Sequence, residues 1–245
     1  MSRRFAFLCG LALLLPLAAS AAGSATASSL LGTAKAGTLS MPMQTVLMLT
    51  ALTLLPAALV SVTPFLRTII VLHFLRQALG TQTAPSNQVL VGLALFMTLL
   101  TMGPITGQIY DKAWTPWQNG QITVEQAAQE ASQPLRQFWS RFAKEKDIAL
   151  FLEVSHSPAP RTPADVDLKV LIPAYILSEL KAAFQIGAVL YLPFLVIDLV
   201  VASVTVSVGM MQLPPVMISA PFKILLFVLV DGWNLVVGSL MKSFS

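Results

Sequence analysis

The chain has 245 residues, of which 56% are hydrophobic and 11% charged. That is too apolar and too sparsely charged for an ordinary soluble domain, and it points to a membrane or membrane-complex protein. The formal net charge of +4 is no nucleic-acid footprint, because Arg3 and Arg4 stand in a leader and the other basic residues are dispersed.

Residues 1–21 read as a cleavable signal peptide. Arg3 and Arg4 form its positive start, Phe5 to Leu17 its apolar run, and Ala19 and Ala21 a small-residue cleavage site. An uncleaved anchor is the alternative. The single cysteine, Cys9, lies within the leader, so the mature chain is expected to lack disulfides and thiol chemistry. Residues 22–44 are small, polar and low in complexity, and read as a loose N-terminal segment.

Residues 45–110 form the first apolar region. Val46 to Val62 is uncharged and interrupted by Pro56, which predicts a kinked helix, either tilted in a bilayer or buried in a complex. Thr63 to Gly80 is helical in pattern but carries Arg67, His73, Arg76 and Gln77. It reads either as a surface helix with snorkelling arginines or as a helix whose charges pair inside an oligomer. Thr81 to Asn87, with Pro85, is a turn. Gln88 to Tyr110, closed by Gly103-Pro104, is apolar enough to span. Arg67 and Arg76 place the connection between these runs on the cytoplasmic side.

Residues 111–168 then form a polar, helical, periplasmic insertion. Thr123 to Gln126 has the spacing of a capping box, and Ser132 with Pro134 is expected to open a second helix. Leu135, Phe138, Trp139 and Phe142 recur at helical spacing as core or subunit contacts. The mixed charges Arg141, Lys144, Glu145, Lys146 and Asp147 read as a solvated face.

Residues 169–245 form an apolar helical hairpin. Ala182 to Val208 contains Pro193, expected to bend or break it, and Asp198. Gly209-Met210-Met211-Gln212 is a turn ended by Leu213-Pro214-Pro215, and Pro221 to Met241 reads as one helix of roughly 20 residues, about 30 Å long. Acids inside apolar runs need partners, so Asp198 and Asp231 are expected in interhelical or inter-subunit pairs, with a proton relay as the other reading. Lys223 stands eight residues from Asp231, too far along one straight helix, and is expected to meet Asp198 or another subunit's acid.

Pro221 to Trp233 (PFKILLFVLVDGW), Phe74 to Thr81 continuing through Pro85 to Leu90, and Pro173 to Gly187 together resemble signatures of the FliP family of type III export-gate proteins. They occur in that family's order and cover essentially the whole mature chain. The resemblance implies an all-α subunit of the flagellar export channel in the bacterial inner membrane and flagellar basal body. It implies a homopentamer joined by FliR and FliQ, beside FlhA and FlhB, with FliO aiding assembly, through which unfolded flagellar subunits pass. It also implies that Met210, Met211 and Gln212 act as the gasket of the pore, although paired methionines at a turn are ordinarily packing filler. The family's loop is richer in methionine than this one.

The sequence carries no convincing catalytic constellation, metal spacing or phosphate-binding loop, so neither an enzyme nor a cofactor is expected. His73 and His156 stand on opposite sides of the expected membrane. A virulence injectisome gate is the nearest alternative, the leader favouring the flagellar branch. A small-solute transporter would normally carry internal repeats, and none is visible. An assembly scaffold without a pore is a third class.

Overall fold

A computed structural model describes residues 41–81, 83–156, 166–209 and 214–244. The expected signal peptide, with Ala19 and Ala21, and the loop residues Met210, Met211 and Gln212 lie outside the described residues. The described chain is helical, without a strand, as its apolar runs and lack of alternating patterns predict.

The chain divides into two compact units, Met1–Leu59 and Val60–Ser245. Helix α1 (Met41–Ser61) supplies the described part of the first. It has no charged residue, and Val46, Leu47, Leu49, Leu52, Leu54 and Leu55 are all exposed, so no polar stripe marks a side for water. Pro56 lies inside this helix without ending it.

In the second unit the helices are α2 (Phe65–Ala78), α3 (Asn87–Ile109), a π-helical turn (Tyr110–Trp114), α4 (Thr115–Gln118), α5 (Val124–Phe142), α6 (Glu145–Val154), α7 (Leu168–Ser207), α8 (Pro215–Leu229) and α9 (Gly232–Lys242). The 40-residue α7 is the spine, with α2, α8, α6 and α5 packed along it. One core joins Val71, Leu75 and Ala78 of α2 to Met97, Ala183, Phe194, Phe227, Val236 and Leu240. A second core lies under the polar insertion, where Phe138, Trp139 and Ala143 meet Val170, Leu171 and Tyr175. Trp139 there donates its indole N–H to the Val62 carbonyl at 2.9 Å.

Gly187 sets the closeness of α2 and α7. A Cβ on it would lie 2.6 Å from the ring of Phe74, so only glycine admits that ring.

Asn87–Gln118 and Leu168–Ser207 are each long and apolar enough to cross a membrane, and α8 with α9 would make a third span if taken as one bent segment.

Pro134 and Gly103-Pro104 behave differently from the sequence expectations, and Pro193 does not break its helix. Pro134 does not open a second helix; it sits inside α5, which starts at the Thr123 capping box and runs unbroken to Phe142. Gly103-Pro104 lies within α3, and Pro173 and Pro193 lie within α7, where neither ends the helix. Packing on the neighbouring helices and tolerance of proline in apolar helices outweigh the lost hydrogen bonds. The break falls elsewhere. The expected single helix from Pro221 to Met241 is divided at Val230-Asp231, and its two parts meet at 66°.

Candidate functional site

Three ion pairs occur among the described residues of the second unit. At the level of the polar insertion, Arg67 of α2 faces Glu179 of α7. Its Nε donates to Oε2 at 2.9 Å and its Nη2 to Oε1 at 2.5 Å, a bidentate fork. The remaining nitrogen, Nη1, donates to the hydroxyl of Ser243 at 3.0 Å and to its carbonyl at 3.3 Å. Phe244 lies 4.1 Å from the guanidinium carbon and Phe142 5.5 Å, ring centroid to Cζ, within cation–π range. One arginine thus ties α2, α5, α7 and the C-terminal residues together.

Beside it, Asp147 in the first turn of α6 accepts from the Ser178 hydroxyl at 2.7 Å and from the Lys181 ammonium. Ser178 in turn accepts from the backbone N–H of Lys144 at 2.9 Å. Burial pushes the Asp147 carboxyl up, but Lys181, Ser178 and Lys144 together outweigh it and hold the group below the usual carboxylate range. This corrects the solvated-face reading. Arg141, Lys144, Glu145 and Lys146 are exposed, whereas Asp147 is 1% exposed and anchors α6 on α7.

Toward the α7–α8 connection, Lys223 reaches across the hairpin to Asp198, Nζ to Oδ2 at 2.6 Å. The hydroxyl of Ser219, one turn before Lys223, donates to the other carboxylate oxygen at 2.5 Å. Lys223 is buried, while the Asp198 side chain keeps 22% of its surface exposed. The pair lies between Gly209, in a left-handed turn at φ 82°, and the body of the hairpin. Gly80, at φ 75°, packs against Val216 and Ala220, so the turn after α2 and the start of α8 share this end.

The other predicted residues have different surroundings. Arg76 donates to the side-chain oxygen of Asn87 at 2.6 Å, closing the 79–86 turn rather than meeting an acid. Asp231 is exposed, lies at the break between α8 and α9, and accepts a hydrogen bond from Asn234 at 3.1 Å. It is therefore not an acid sunk in a straight apolar helix. His73 is bonded through Nδ1 to the Ile69 carbonyl at 2.8 Å, and His156 is exposed.

Sequence reasoning missed Glu179, Asp147, Ser178 and Ser219 as polar anchors. Glu179 left one signal: it stands four residues after Tyr175, one helical turn on, on what is otherwise an apolar face. Tyr175 and Glu179 are both fully buried.

The arrangement is a set of polar clamps fixing helices that are otherwise smoothly apolar. Comparison with known proteins gives these clamps a context. The profile of the FliP family matches residues 48–240. The flagellar biosynthetic protein FliP of Pectobacterium carotovorum subsp. carotovorum is 53% identical over 201 residues, covering 82% of this chain and 78% of the relative. That of Bacillus subtilis (strain 168) is 50% identical over 198 residues, covering 81% and 90%. That of Caulobacter vibrioides is 49% identical over 201 residues, covering 82% and 76%. The Arg67–Glu179, Lys181–Asp147 and Lys223–Asp198 pairs all fall inside the matched span, and the chain belongs to the FliP family.

Proposed function

We propose that this chain serves as a subunit of the flagellar type III export gate and forms, with copies of itself, the path by which unfolded flagellar subunits cross the inner membrane. The observation that carries the reading is the family match over residues 48–240, with flagellar biosynthetic relatives at about half identity. The architecture supports it. Apolar helices clamped by charge pairs make a rigid wall, and residues 210–213 fall in sequence between α7 and α8.

In this reading the 210–213 loop is the seal. Thioether side chains exclude water and can reshape around a passing chain, and a ring of loops would multiply the effect of each methionine. The assembly is a homopentamer with FliR and FliQ, beside FlhA and FlhB, and FliO assists its formation. Residues 111–168 face the periplasm. The chain itself performs no catalysis, and the energy for export comes from other components.

Deleting the gene in its native bacterium tests the role directly. Hook and filament subunits should vanish from the medium and return on complementation. Normal flagellar export, with loss of injected effectors instead, would assign the chain to an injectisome. The seal is tested by Met210→Ala with Met211→Ala, expressed with its partners. The assembled variant should leak ions, and a variant as tight as wild type would make the loop packing filler.

A further inference from the structure

The break between α8 and α9 depends on very few backbone angles. Val230 has φ −89° and ψ 8°, in the bridge region beside the helical one, while Asp231 has φ 51° and ψ 49°. Asp231 alone is left-handed at this junction. A residue with a Cβ disfavours that region, although aspartate tolerates it better than most. The sequence around it is helix-compatible and apolar, and the two helices together pass as one membrane-crossing segment. If Asp231 turned right-handed and the Val230 ψ closed by about 50° to its helical value, α8 and α9 would join into one helix from Pro215 to Lys242, about 42 Å long.

Two contacts oppose that change. At the near end, the Phe227 ring sits where a side chain on residue 232 would be: a Cβ on Gly232 would lie 2.2 Å from it. Phe227 is held in turn edge-on by Trp233 at 5.4 Å and by Phe194 of α7 at 6.4 Å. At the far end, Arg67 holds Ser243 and Phe244. The α9 segment is 11 residues long. Removing a 66° bend would carry its far end on the order of 15–20 Å and pull both residues off Arg67.

We propose that Val230–Gly232 is a two-state joint. In the bent state Asp231 is left-handed and Phe227 rests on Gly232; in the straight state Asp231 is right-handed and α8 and α9 are one helix. The C-terminal residues act as a catch, because Arg67 keeps them only in the bent state. The joint is a property of the chain and stands whether or not the 210–213 loop seals a pore.

Spin labels on the full-length protein, in detergent and in the assembled complex, read the state. Cysteines at Gln137 and Lys242, both exposed, report the distance from α5 to the end of α9, with Cys9 replaced by serine. Asp231→Gly removes the left-handed penalty and should leave one short distance. Asp231→Ala with Gly232→Ala favours a right-handed residue and pushes a methyl into the Phe227 ring. It should lengthen the distance by about 10 Å or more. Phe227→Leu, which removes the ring with little loss of volume, should add a long component to the short one. If the double variant does not fold, the Phe227→Leu distribution decides alone. An unchanged short distance in Phe227→Leu, or in a folded double variant, would make the elbow a fixed bend and overturn the proposal.

Discussion

Arg67 and Glu179, 112 residues apart in the chain, meet through two hydrogen bonds with side chains 7% and 0% exposed. Truncating one partner strands the other. Arg67→Ala or Glu179→Ala should cost about 3–5 kcal/mol, because an uncompensated charge remains buried. Arg67→Met with Glu179→Leu should recover most of that loss. Thermal unfolding of the purified protein in detergent measures all three. Equal stability of the single variants and wild type would mean the pair does not hold α2 to α7.

The Asp198–Lys223 pair predicts an asymmetry. Lys223 is buried to 1% of its surface, whereas Asp198 keeps partial exposure and a second partner in Ser219. Asp198→Asn therefore leaves a deeply buried ammonium without its counter-charge, at about 3–5 kcal/mol. Lys223→Met leaves a carboxylate that is still hydrogen-bonded and partly accessible, and should cost clearly less. Recovery of assembled protein on solubilisation gives the order, and the reverse order would mean that Lys223 meets another charge in the complex.

Asp147 makes the docking of α6 sensitive to acid. Its carboxyl is held below the ordinary value of 3.8 by Lys181, Ser178 and Lys144, against the opposing effect of burial. A depressed carboxyl contributes its stability above the unfolded value and loses it as pH falls through the folded one. Hydrogen exchange in α6 should therefore be slow and flat from pH 7 to about 4, after correction for intrinsic rates, and rise below that. Asp147→Asn should remove the acid step and speed exchange in α6 at neutral pH. An acid step that persists in that variant would assign it to another group.

How much of this was readable from one sequence depends on the range of the interaction. The helices, the apolar runs and the Thr123–Gln126 capping box follow from local composition and spacing. The Lys223–Asp198 contact was among the readable options, because a straight helix, as the sequence led one to expect, would hold Lys223 eight residues away from Asp231 and out of its reach. Arg67 finding Glu179, or Asp147 finding Ser178, was not readable, since nothing local encodes which distant acid a folded helix will face. The prolines misled for a physical reason. Inside α5 and α7, neighbouring helices hold the backbone where proline removes a hydrogen bond. The real break sits at Asp231, whose left-handed backbone carries no proline to announce it.

Gly187 offers the most direct test of the central packing. Its missing side chain is filled by Phe74, and a Cβ there would approach the ring to 2.6 Å, near the ring's root rather than its far edge. Phe74 also meets Phe184 edge-on at 5.3 Å, so it cannot swing aside without breaking that contact. Gly187→Ala must then separate α2 from α7 or force Phe74 off its rotamer, at about 1–3 kcal/mol. The helix itself would gain up to about 1 kcal/mol from replacing glycine by alanine, which partly offsets the clash. A net loss of stability thus requires the steric effect to win. Phe74→Leu in the same chain removes the ring and should restore much of what Gly187→Ala loses, so the two changes should be strongly non-additive. Additive losses would mean that α2 and α7 touch elsewhere, and that glycine at 187 answers to something other than the Phe74 ring.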